Sequence, residues 1–221
     1  ALQGSFFTAR ERLEEQGVHY AGKTRHSAAA VLGGIGRPGF FAEGTTPATG
    51  KWDRLVDEIT SSPAPRVVVS SEFFADAPPD VVRRIVDDLG PDRVRVAVTL
   101  RPLARILPSQ WMQYVCDGMT TSWDDWLHAM FDRPGAKVTP GFWRRHRHHE
   151  LVARWAQAAE TDRVTVLAIR EGDRGGVLRD FEGLLGLDPG LLQEQDGLGN
   201  RSLTWPEVEA VRLFNTAVRA D

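Results

Sequence analysis

Three short apolar runs rich in β-branched residues, at 66–72, 94–100 and 164–169, are separated by long stretches with helical spacing. The first, Arg66-Val67-Val68-Val69-Ser70-Ser71-Glu72, is a β-branched run that turns polar, as a buried parallel strand does at its end. Parallel strands need a crossover of a dozen or more residues, usually a helix, whereas antiparallel strands can be joined by two residues. The connections here are long and carry helical periodicity at 78–89, 102–116, 123–131, 141–159, 175–185 and 206–218. The expectation is therefore an α/β fold of three layers, a central parallel sheet flanked by helices. Ligands in such folds sit beyond the carboxyl ends of the strands, so residues 70–72 and 99–101 are the first places to look.

The first third of the chain is less regular. Leu2, Phe6, Phe7 and Leu13 share a stripe, and Gly17 ends the amphipathic helix they define. Residues 18–20 suit a short strand, 27–32 a small Ala-rich helix and 52–59 a further helix, with a Gly-, Thr- and Pro-rich loop over 33–50. A chain of 221 residues suits one domain, here taken as 1–221. With 42% hydrophobic and 26% charged residues the composition is that of a globular protein. The net charge of −3 gives no global field for nucleic acid or acidic membranes, so any anion site must be local. Lysine stands only at 23, 51 and 137, so a local cation is in most cases an arginine, whose planar fork grips oxyanions. The single Cys116 excludes an internal disulfide, and neither a signal peptide nor an apolar run long enough to span a membrane is visible. The expected location is the cytoplasm.

Two glycine patterns invite a nucleotide reading and fail it. Gly34-Ile35-Gly36-Arg37-Pro38-Gly39 fits G-x-G-x-x-G but follows a helix rather than a strand. The stretch from Gly44 to Lys51 has one residue too many for a P-loop and Trp52 where a Mg²⁺-binding hydroxyl belongs. Both read as loop.

The segment Thr99-Leu100-Arg101-Pro102-Leu103-Ala104-Arg105-Ile106-Leu107-Pro108-Ser109 carries more. A strand ends, Arg101 follows at its tip, Pro102 opens a helix and Ser109 comes eight residues on. Eight steps of about 100° return Ser109 to within roughly 80° of the start, so arginine and serine can share one anion with the first N–H groups of the helix. Pro108 should kink that helix. From spacing alone, a surface ion pair and a plain helical serine remain the alternatives.

A strand followed by Arg101, with Ser109 eight residues later, resembles the 3′-phosphate signature of sulfotransferases that use 3′-phosphoadenosine 5′-phosphosulfate (PAPS). Neighbouring blocks agree in order: residues 3–17, Ser70-Ser71-Glu72-Phe73-Phe74, Phe142-Trp143 with His146, Arg154-Trp155, and Asn200-Arg201-Ser202-Leu203 resemble blocks of bacterial sulfotransferase-like proteins. The resemblance implies a P-loop-NTPase-like sheet and transfer of a sulfuryl group from PAPS to a hydroxyl or amine of a carbohydrate, lipid or small metabolite. The product nucleotide would be 3′-phosphoadenosine 5′-phosphate (PAP), and no metal is required. It makes Arg101 and Ser109 the 3′-phosphate ligands and Asn200, Arg201 and Ser202 a late loop over the same phosphate. Glu72 becomes the general base; its alternative is a solvated or salt-bridged strand-end acid. The late loop has its own alternative as a turn and cap before the helix at Pro206. The family's 5′-phosphosulfate loop is absent, and the chain opens where that loop would end, which reads as trimming at the N-terminus, with an early end at Asp221 a further expectation. A P-loop kinase or phosphotransferase and a non-catalytic nucleotide-binding protein are the other readings; the first would need a Gly-Lys-Ser/Thr loop that is not visible.

Arg144, Arg145, His146, His148, His149 and Glu150 form a dense cluster. On one continuous helix His146 would share a face with His149 or Glu150, enough to suggest a metal but for the lack of a fourth ligand. A solvated basic face or a contact to acceptor or nucleotide are the other possibilities. The expected partners are a small-molecule or carbohydrate acceptor, with a second copy of the chain as a further candidate and no nucleic acid.

Overall fold

The computed structural model describes residues 2–36, 49–133, 138, 141–170, 172–173, 175–195 and 203–219. They form two compact units. The first comprises Ala1–Leu100 and Arg147–Gly199, the second Arg101–His146 and Asn200–Asp221.

The first unit holds four strands: β1 (Val18–Tyr20), β2 (Arg66–Val68), β3 (Val96–Leu100) and β4 (Val164–Ala168). β1 pairs with β2 in parallel, Val18 opposite Arg66 and Tyr20 opposite Val68. β3 pairs with β4 in parallel, Val96 opposite Val164 and Leu100 opposite Ala168, and the Ile169 N–H extends the ladder to the Leu100 carbonyl at 2.8 Å. The mixed α/β architecture and the parallel pairing are as expected. The single central sheet is not what is seen: among the described residues the strands hydrogen-bond as two separate pairs. The valine run at 67–69 yields only a three-residue ladder because the chain turns soon after it. Ser71, in extended conformation, accepts the Phe73 N–H on its hydroxyl at 3.3 Å, and Glu72–Asp76 winds into a 3₁₀ turn. A capping side chain that offers the backbone a local partner competes with the strand ladder.

Helices of this unit follow their caps and stripes. α1 (Leu2–Thr8) and α2 (Arg10–Glu15) replace one expected helix with two, broken at Ala9. α3 (Ala28–Ile35) ends at Gly36 in the left-handed region, φ 66°, and α4 (Gly50–Ser61) follows. α5 (Pro79–Leu89) begins with proline and buries Val82, Ile85 and Val86, an i, i+3, i+4 stripe. Those side chains, at most 1% exposed, join Trp52, Leu55, Leu151 and Trp155 in one core, each contributing about 1.5–3 kcal/mol. A second cluster joins Phe6, Leu13, Val18 and Tyr20 to Leu178, Leu187 and Leu191, fastening α10 (Gly176–Leu185) to the first pair of strands.

The second unit is helical: α6 (Leu103–Cys116), α7 (Trp123–Asp132), α8 (Phe142–His146) and α11 (Trp205–Val218). Its core is aromatic. Trp111, Trp126 and Phe142 are fully buried; Trp123 stacks on Trp126 at 5.6 Å and Trp205 on Trp111 at 4.9 Å. The remaining helix, α9 (His148–Ala159), belongs to the first unit and packs on α5 and β4. Among the described residues no helix is long and apolar enough to cross a membrane.

Candidate functional site

The carboxyl ends of β1 and β2 lie side by side, and the chain leaves both through polar residues. Glu72 stands four residues past the end of β2, at the head of the 3₁₀ turn rather than at a strand tip. Phe73 and Phe74 pack into the core, Phe74 edge-on to both Trp52 and Trp155, so the ring pair directs the carboxylate outward instead of enclosing it. Glu72 is exposed and has one side-chain partner among the described residues: Gln3 of α1 donates its Nε2–H to Glu72 Oε2 at 2.9 Å and to the Ser70 carbonyl at 3.1 Å. The Oε1 of Gln3 meets His26 Nδ1, so the amide is held at both ends. Because the Gln3 oxygen can only accept, Nδ1 is the protonated nitrogen in this arrangement. Tyr20, at the end of β1, senses the same environment. Burial lifts its phenol above the ordinary value, the Arg10 cation opposes this, Glu72 adds to it and Arg25 counters. Glu72 and Arg25 are therefore both within electrostatic reach of Tyr20.

Gln3 and His26 escaped the sequence reading. Gln3 is one polar residue on an amphipathic helix, with nothing local to distinguish it. His26 had a usable signal, since it lies in the connection leaving the first parallel strand.

Arg101 directly follows the last residue of β3, as expected, and is exposed. The helix after it begins at Leu103, with Pro102 as N-cap at φ −54° and ψ 134°, outside the helical region. Arg101 thus precedes the helix, and its direction is not set by helical phase. The Pro102 carbonyl accepts the Arg105 and Ile106 N–H groups at 2.9 and 3.2 Å. The N–H groups of Leu103 and Ala104 have no acceptor within the helix, as first-turn donors never do, and the helix dipole adds to their attraction for an anion. Ser109 is exposed, and its hydroxyl donates back to the carbonyls of Arg105 at 3.3 Å and Ile106 at 3.0 Å. To donate to an oxyanion it must rotate about one bond, giving up long local contacts.

The remaining expectations fare differently. Asn200, Arg201 and Ser202 lie outside the described residues. The histidine cluster is not on one helix: Arg147, at φ −76° and ψ 83°, separates α8 from α9, leaving His146 on the first helix and His148 and His149 on the second. His146 packs on Phe142 at 4.6 Å, burial pulls His148 below the ordinary histidine value, and His149 is 82% exposed. No group of three or more metal-ligating side chains is found among the described residues. Of the glycine patterns, Gly34 and Ile35 end a helix and Gly36 caps it, the reverse of a dinucleotide fingerprint. Gly50 and Lys51 open α4, and the rest of that second pattern falls largely outside the described residues.

No family model and no curated protein sequence matches the chain. Among solved structures it is similar to a sulfotransferase from Alicyclobacillus acidocaldarius, with a TM-score of 0.59 and 19% identity over 97% of this chain and 89% of that one. The chain therefore has a sulfotransferase-like fold.

Proposed function

We propose that this protein is a sulfotransferase that moves the sulfuryl group of PAPS to a hydroxyl or amine of a carbohydrate, lipid or small metabolite. The observation that carries this reading is the sulfotransferase-like fold over nearly the whole chain, in which Arg101 stands at the junction between the end of a parallel strand and the start of a helix. Such a junction offers a guanidinium fork and first-turn N–H groups to one oxyanion, the requirement for gripping a nucleotide phosphate. Arg101 and Ser109 are assigned to the 3′-phosphate, with Asn200, Arg201 and Ser202 closing over it. Glu72 is assigned to the acceptor. As the acceptor oxygen forms its bond to sulfur, the bond from sulfur to the bridging phosphate oxygen breaks, the acceptor proton passes to Glu72, and PAP leaves. Charge merely shifts between oxygens, so the protein's task is positioning and electrostatic stabilisation, and no metal is called for.

The test is thermal-shift titration with PAP, ADP and ATP–Mg²⁺ on the protein and on Arg101→Ala. A ligand that binds only the folded state stabilises it by about 2.7 kcal/mol at a hundred times its Kd. Stabilisation by PAP but not by the other two, lost in Arg101→Ala, is the expected result. A response to ATP–Mg²⁺ alone would move the reading to a kinase or phosphotransferase, and no response to any of the three would move it to a protein without this nucleotide chemistry.

A further inference from the structure

The carboxyl edge of the β1–β2 pair also carries a cation that the proposed chemistry does not use. Arg25 lies in the connection between β1 and α3, and its Nε is buried with no hydrogen-bond acceptor among the described residues. Arg10, nearby, has a buried Nε that likewise lacks an acceptor among the described residues, but its Nη2 group is committed to the chain, donating to the carbonyls of Tyr20 at 2.9 Å and of Gly22. Arg25 is held in place from its backbone, where the Tyr20 hydroxyl donates to its carbonyl at 3.3 Å, and its fork rests on the bare face of α1 at Gly4. A Cβ at position 4 would stand 3.1 Å from both Nε and Nη2, and the three nearest atoms it would meet are all of Arg25. Glycine inside a helix costs about 1 kcal/mol relative to alanine, so the empty space at Gly4 is maintained against local propensity, and what fills it is the guanidinium.

Gly4 is the neighbour of Gln3, whose amide holds Glu72. Adjacent residues of α1 thus place a cationic fork and a carboxylate at one strand edge, and Tyr20 senses both charges. A buried guanidinium donor without an acceptor is costly unless a ligand supplies one. We infer that Arg25 binds an acidic group, a carboxylate, sulfate or phosphate, on the acceptor whose hydroxyl or amine faces Glu72. This rests on the assignment of Glu72 to the acceptor. The same oxyanion chemistry would also suit the sulfuryl group of the donor, and the experiment separates the two.

The Nε–H resonance of Arg25, identified by its absence in Arg25→Lys, is followed by ¹H–¹⁵N NMR during titration with inorganic phosphate, with and without saturating PAP. A saturable shift of that resonance in both conditions, retained in Arg101→Ala, is expected. In Gly4→Ala, where the added methyl displaces the fork while favouring the helix, the apparent affinity should fall about tenfold, the worth of one charge-assisted hydrogen bond. A resonance that does not move, or moves without saturating, overturns the inference. A shift produced by PAPS and not by PAP assigns Arg25 to the transferred group and overturns the acidic acceptor. Failure of PAP to bind counts against the proposed function alone, because the titration without nucleotide still reads Arg25.

Discussion

Gly34→Ala should destabilise the protein by about 2 kcal/mol, although it places the best helix former inside a helix. Alanine in place of glycine contributes about 1 kcal/mol of helix propensity. Against this, a Cβ at Gly34 would stand 2.6 Å from Cδ2 of Trp52 and 2.8 and 2.9 Å from two further ring atoms. The nearest contact is roughly 1 Å inside normal carbon–carbon separation, and such overpacking costs about 1–3 kcal/mol. Trp52 cannot retreat freely: it is 4% exposed, its indole N–H donates to Asp88 Oδ2 at 2.7 Å, and Phe74 meets its ring edge at 6.3 Å. Nor can the helix end move easily, since Arg84 donates to the Gly34 carbonyl. Moving the ring far enough to lose the bond to Asp88 adds about 1.5 kcal/mol or more. Urea unfolding should show a lower midpoint at unchanged slope, and the melting temperature should fall by about 4–8 °C, at 2–4 °C per kcal/mol for a chain of this size. In a double-mutant cycle with Trp52→Leu the penalty should largely disappear, because the two positions are in contact. A Gly34→Ala protein as stable as the parent or more so would refute the argument, since it would mean that Gly34 serves no packing role against Trp52.

Three further outcomes follow from the structure. Trp126 and Trp111 are both fully buried, but Trp111 donates its indole N–H to the Thr121 carbonyl at 3.2 Å while that of Trp126 has no acceptor among the described residues. Trp111→Phe should therefore cost about 1 kcal/mol more than Trp126→Phe in urea unfolding, and equal costs would contradict the bonding pattern. His19 sits between Glu14, 2.5 Å from Nδ1, and Glu58, 3.0 Å from Nε2. Burial alone would lower its pKa, but the hydrogen bonds and charge of the two carboxylates outweigh it and leave the imidazole above its ordinary 6.5. A raised pKa stabilises the fold fully below 6.5 and loses that contribution as pH rises through the folded value, so the parent should lose stability over that interval relative to His19→Gln; parallel pH profiles would refute it. On the proposed function, in which Glu72 is the general base, Glu72→Gln should lower kcat by about 10²–10⁴-fold with PAP binding unchanged, and full activity in that variant would remove Glu72 from the proposed mechanism.

The sequence was most informative where local physics decides alone. Val82, Ile85 and Val86 recur at helical spacing between Pro79 and Gly90, and α5 forms there with that stripe buried. The strand ending before Arg101 and the helix entered through Pro102 were legible for the same reason, since proline, lacking an N–H, fits the start of a helix without losing a bond. Failures arose where a side chain or one backbone angle redirected the chain. Ser71 offered the Phe73 N–H a local acceptor and turned an expected strand end into a 3₁₀ turn. The backbone of Arg147 broke a helix that periodicity carried straight through the histidine cluster.

By itself, then, the sequence determined the order of most helices and strands and the position of Arg101 at a strand-to-helix junction, because propensity, capping and periodicity act over a few residues. Only the tertiary structure decided which strands pair, that Gln3 reaches Glu72 across 69 residues of chain, and that Gly4 leaves room for Arg25. Those contacts depend on the packing of α1 against the carboxyl edge of β1 and β2, and no local preference of glutamine, glycine or arginine encodes which distant residue each will meet.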